Sequence, residues 1–240
     1  TLAIPLQLRN EWLTIGWALE GAALLALDHR LRHVGLRYLA LALFGAVVVR
    51  LCMNEYVLHY YARGEWRIFN WLTYTYLVPA AAMVGGALLL SRHEVESRAP
   101  FEREALGGLS PRPILAGFVF GGVVVIVFAW LNLTIFDWYA SGPALTIPTE
   151  RMPARDLTIS IVWAVYALCL LALGMARSSG ALRVTSLLLI LVTCGKVFLY
   201  DLSTLEDLYR VAALVGLALS LIIVSLFYQR FVFRRAGAAT

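Results

Sequence analysis

The sequence predicts an all-α, polytopic transmembrane helix bundle of about seven spans with a parallel internal repeat, and three observations carry that expectation. Of the 240 residues, 61% are hydrophobic and only 15% charged, too few charges to clothe a water-facing globule of this size. The apolar residues gather in runs of about 20, the length of helix that crosses roughly 30 Å of hydrocarbon. The cations lie between those runs or near their ends. Disorder is excluded because it needs low apolar content, and fibrous folding because it needs short periodicity. The runs also lack the alternation of a barrel strand, and lipid offers the backbone no partners, so helices are the expected form.

In chain order the predicted spans run near 12–28, 35–53, 71–91, 113–134, 157–176, 181–200 and 208–229. The first carries Glu20, about eight residues into the hydrocarbon. The second and sixth carry Arg50 and Lys196 near their ends, each followed five residues later by an acid, Glu55 and Asp201. The segment RHEVESRAPFEREALGGLSPR, between the third and fourth, mixes both signs and reads as a solvated connector with a short surface helix. NEYVLHYYARGEWRIFNW and LNLTIFDWYASGPALTIPTERMPARD are longer loops rich in aromatic residues, as expected of interfacial belts. DLSTLEDLYR, joining the last two spans, holds Asp201, Glu206, Asp207 and Arg210.

Loop arginines set the expected orientation. Twelve fall on the side of Arg30, Arg92, Arg177 and Arg234, and six on the side of Arg9, Arg63, Arg151 and Arg210. The richer side is expected to be cytoplasmic, with the N-terminus outside and the C-terminus inside. The formal charge of +5 is thereby explained as topology, and nucleic acid is not an expected partner. The opening TLAIPLQLRNEW lacks the marks of a signal peptide, so an upstream span, and hence a longer parent protein, is expected.

Laid on itself at an offset of 146, the chain aligns Leu19–Leu51 with Val165–Val197 without gaps. Trp17 meets Trp163, Arg37 meets Arg183, Arg50 meets Lys196 and Glu55 meets Asp201. The expected organisation is a first three-helix repeat (1–91), a linker with the fourth span and an outer loop (92–156), and a second repeat with a basic tail (157–240). Equivalent helices lie four spans apart, so the repeats are parallel, unlike the inverted repeats of many carriers.

Charge within hydrocarbon is costly, about 3 kcal/mol on insertion scales, so each such group invites a role. For Arg50 and Lys196 the plainest role is snorkelling to the headgroups. The other is a polar cluster in the outer half of the bundle, in which Glu20 pairs with Arg50 or Lys196, beside Asp201, Glu55 and Arg210. No phosphate-loop, dinucleotide, zinc-protease or nucleophile-elbow pattern occurs. His29, His33, His59 and His93 are read as loop residues, and Cys52, Cys169 and Cys194 as small buried hydrophobes. No catalytic residue, metal ligand or cofactor is therefore expected. Asn132-Leu133-Thr134 fits a glycosylation sequon at a membrane boundary.

Lys196, Val197, Phe198, Asp201, Leu202, Leu205, Tyr209, Arg210, Tyr228 and Gln229, with the WALEGAALLAL run from Trp17 carrying Glu20, give the chain its family likeness. It resembles the bacterial multi-pass membrane family called domain of unknown function 2339. The resemblance implies a bacterial inner membrane and a longer parent with many spans, of which this is the C-terminal portion. It implies no reaction. The expected role is a structural or accessory subunit of a membrane assembly, in contact with the bilayer and other membrane subunits. The rival is a carrier or envelope-biogenesis enzyme with a polar site in the outer half.

Overall fold

The computed structural model describes residues 11–31, 33–54, 66, 69–91, 112–142, 145, 147 and 150–201, with 218, 221, 222 and 225 beyond. Six α-helices occupy them: α1 (Glu11–Leu31), α2 (Val34–Met53), α3 (Trp71–Ser91), α4 (Arg112–Tyr139), α5 (Pro153–Ala176) and α6 (Gly180–Lys196). A π-helical turn, Val197–Asp201, continues α6. Among the described residues there is no strand. Five of the helices, α2 to α6, are long and apolar enough to cross a membrane. Most of the expected seventh span, the connector between α3 and α4, and the DLSTLEDLYR run after Asp201 lie outside the described residues.

The chain forms two compact units that divide between Glu150 and Arg151. In the first, α1 to α4 make a ring: α1 packs on α2 and α3, and α4 closes the ring against α3 and α2. The face α1 turns inward is Glu11, Thr14, Ile15, Ala18, Gly21, Leu25 and Asp28, a stripe at the three- and four-residue spacing of a helix side. Glu11, Glu20, Asp28 and Arg30, spread along α1, explain why it falls outside the five apolar helices.

Close approach in this unit is made possible by glycine. A Cβ on Gly21 would lie 2.7 Å from the Phe44 ring, and one on Gly86 would lie 2.9 Å from the same ring. Phe44, on α2, is thus held between α1 and α3. At Gly122, on α4, a Cβ would meet Met83 Cε at 2.9 Å and Val48 Cγ2 at 3.0 Å. Small residues at crossings are what lipid-embedded helices need, because burial away from water does not drive their association. Pro79 sits inside α3, where its missing N–H leaves one backbone carbonyl without its helical partner.

The second unit is an α5–α6 hairpin. Its turn is a Schellman motif: Ser179 N donates to the Gly174 carbonyl at 2.9 Å and Ser178 N to the Met175 carbonyl at 3.2 Å. Ser178 takes the left-handed position, with φ 52°, that glycine usually fills. Ser179 caps α6 through its hydroxyl, which accepts from Leu182 N.

Four expectations are corrected. The fourth helix runs on to Tyr139 instead of ending near 134, because Asp137 is buried against a bundle partner rather than facing water. Likewise α5 begins at Pro153, which suits the first turn of a helix. His29 lies in the last turn of α1, not in a loop. Cys52 and Cys169 are exposed and Cys194 is half-buried, so these thiols face outward as small apolar groups.

Candidate functional site

Polar side chains collect at the helix ends. At the end of the first unit where α2 and α4 finish and α1 and α3 begin, Arg50 turns inward. Its Nε donates to Thr14 Oγ1 on α1 at 3.1 Å, and its guanidinium stands 5.9 Å from the centroid of the Trp17 ring. Glu11, wholly enclosed, accepts from the Tyr74 hydroxyl at 3.3 Å, and Tyr74 stacks on Trp12. The Tyr76 hydroxyl donates to the Leu51 carbonyl at 2.8 Å, one of the last-turn carbonyls that a helix leaves without an internal partner. Asn70 accepts from the Leu72 and Thr73 amides, which caps α3, and donates to Asp137 Oδ2 at 3.2 Å. One amide side chain therefore ties the start of α3 to the end of α4.

The corresponding end of the second unit has a lysine. Lys196, the last residue of α6, donates from Nζ to Ser160 Oγ at 2.7 Å and to the Asp156 carbonyl at 2.9 Å, both on α5. The Ser160 hydroxyl also reaches that carbonyl, at 3.2 Å. The π turn brings Tyr200 back toward the site, its ring centroid 5.7 Å from Lys196 Nζ and 4.4 Å from the Arg151 guanidinium carbon. Arg155, 4% exposed, pairs with Asp156 at 3.1 Å. Helix irregularities of this kind often accompany polar sites.

At the opposite ends the hairpins diverge. In the first unit Arg37 and Asp28 form an ion pair at 3.3 Å, their side chains 6% and 2% exposed. In the second, Arg183 lies over Gly174, where an added Cβ would be 3.0 Å from Arg183 Cγ and 3.0 Å from its backbone nitrogen.

Of the residues expected to form one polar cluster, Arg50 and Lys196 each bond to a hydroxyl on the preceding helix of their own unit. Glu20 is half-buried on α1. Asp201 closes the π turn, while Glu55 and Arg210 lie outside the described residues. Sequence reasoning missed Thr14 and Ser160, the acceptors of both cations, although the 146-residue offset aligns them. It also missed Glu11, Asp28 and Asp137, which the bundle encloses. The Asn132 amide donates to the Phe128 carbonyl at 2.7 Å within α4, so that sequon sits in a helix.

The first unit also has an open groove of about 270 Å³ between α2, α3 and α4, walled by residues such as Leu41, Phe44, Val48, Met83 and Phe118. None of the candidate polar residues lines it.

Residues 29–231 match the family described as "Predicted membrane protein (DUF2339)". No curated protein and no solved structure matches the chain.

Proposed function

The chain belongs to the DUF2339 family of predicted membrane proteins, and on that premise we propose that it is a structural or accessory subunit of a bacterial inner-membrane assembly. The observation that carries this reading is the use made of the two span-end cations. Arg50 and Lys196 bond to Thr14 and Ser160 on the preceding helix, so they join helices to each other. A snorkelling cation would extend to the headgroups instead.

The finer topology belongs to the same proposal. Seven spans cross the membrane, α1 included, because three of its polar residues face other helices: Glu11 meets Tyr74, Thr14 meets Arg50 and Asp28 meets Arg37. The N-terminus is outside and the C-terminus cytoplasmic, by the arginine bias. The chain is a duplication, 1–91 and 157–240 about a central 92–156. In its favour, both cation–hydroxyl bonds join residues 36 apart, at positions that the offset of 146 superimposes.

The rival, a carrier or envelope-biogenesis enzyme, draws on the gathering of Arg151, Arg155 and Lys196 about Tyr200 and Asp156 in the second unit. The apolar lining of the groove in the first unit favours the scaffold.

The test compares Arg50→Gln and Lys196→Gln with the parent chain in mild detergent. Loss of a charge-assisted hydrogen bond between helices should cost about 1–2 kcal/mol and lower the thermal midpoint by roughly 2–6 °C. Midpoints equal to the parent's would overturn the scaffold role of these residues.

A further inference from the structure

Positions 37 and 183 both hold arginine, whereas position 28 is aspartate and its counterpart at 174 is glycine. The first hairpin neutralises its arginine, and Arg37 is buried against Asp28. The second hairpin keeps the cation and loses the acid. Gly174 leaves room that the Arg183 stem fills, so the side chain crosses the last turn of α5. Among the described residues Arg183 donates to the Ser179 carbonyl, at 3.4 Å, and has no carboxylate partner. Arg177, exposed, caps the C-terminus of α5. It follows Gly174 by three residues and so lies on the same side of that helix.

We infer that Arg177 and Arg183 together bind a phosphate group at the membrane–water boundary, and that its source is the headgroup of an anionic phospholipid. Both helices are long and apolar enough to span the bilayer, which puts the turn between them at headgroup depth. Guanidinium groups present paired donors that match phosphate oxygens, and cations at this depth are drawn to anionic lipid. The turn itself is firmly built, with two Schellman bonds and a serine cap, so both arginines project from a fixed base. This inference requires only that α5 and α6 cross the membrane; it is independent of the scaffold role.

The experiment measures phosphatidylglycerol retained by the intact chain after detergent extraction from mixed phosphatidylglycerol–phosphatidylcholine vesicles, using native mass spectrometry. Arg177→Gln/Arg183→Gln is compared with the parent and with Arg30→Gln, which removes an exposed arginine from the last turn of α1. Phosphatidylglycerol retention should fall about tenfold in the double variant, with helicity by circular dichroism unchanged and Arg30→Gln like the parent. An equal fall in Arg30→Gln, or no fall in the double variant, would overturn the proposal. A parallel arm titrates inorganic phosphate against thermal unfolding. Protection by phosphate in the parent but not in the double variant, with no lipid preference, would keep the phosphate site but overturn its assignment to lipid.

Discussion

The α1–α2 and α5–α6 hairpins use the same cation–hydroxyl device at one end and differ at the other. In each, a cation late in the second helix bonds to a hydroxyl early in the first, Arg50 to Thr14 and Lys196 to Ser160. At the far ends, one hairpin has a buried Asp28–Arg37 pair and the other a glycine beneath Arg183. The difference tracks enclosure. In the first unit α3 and α4 close over the hairpin, and an enclosed guanidinium needs an acid beside it. Arg183 is only half-buried, so solvent can take the place of that acid.

The sharpest way to break this comparison is Asp28→Asn. It strands a buried guanidinium, and a loss of about 3 kcal/mol or more is expected in detergent unfolding. Asp28→Leu/Arg37→Leu should recover most of that loss. A harmless Asp28→Asn would mean that Arg37 reaches solvent and that the hairpins do not differ as described.

A smaller effect is expected where glycine permits contact. Gly21→Ala places a methyl group against the Phe44 ring, and Gly174→Ala places one against the Arg183 backbone, each costing about 1–3 kcal/mol. Gly45→Ala meets nothing within 4 Å and should be neutral or slightly stabilising, since alanine is the better helix former by about 1 kcal/mol. Thermal midpoints of the three variants, side by side, test whether close approach or helix propensity governs.

The smallest expected effect sharpens the likeness. Thr14→Ser/Arg50→Lys imports the second hairpin's device into the first and should change stability by less than about 1 kcal/mol. A larger loss would show that Trp17, which the Arg50 guanidinium faces, makes arginine specifically necessary there.

Much of the scaffold was legible because membrane helices announce themselves by length and apolarity, and the described helices lie close to the expected spans. The ends were less legible. Asp137 and Trp138 read as loop because polar and bulky residues usually mark a boundary, yet Asn70 draws Asp137 into the bundle. Asp28 fell at the end of the first expected span and drew no reading, because its partner Arg37 lies nine residues on. Thr14 and Ser160 passed unnoticed because a lone hydroxyl in an apolar run carries no pattern of its own. Its meaning lies in the cation 36 residues away, which no local window spans.

Phe44 has one more consequence. Its ring fits against Gly21 and Gly86, where even a methyl group would clash, so a piston-like slide of α1 or α3 by a single residue, about 1.5 Å, would cost it that fit. That one benzyl group opposes sliding among three helices at once.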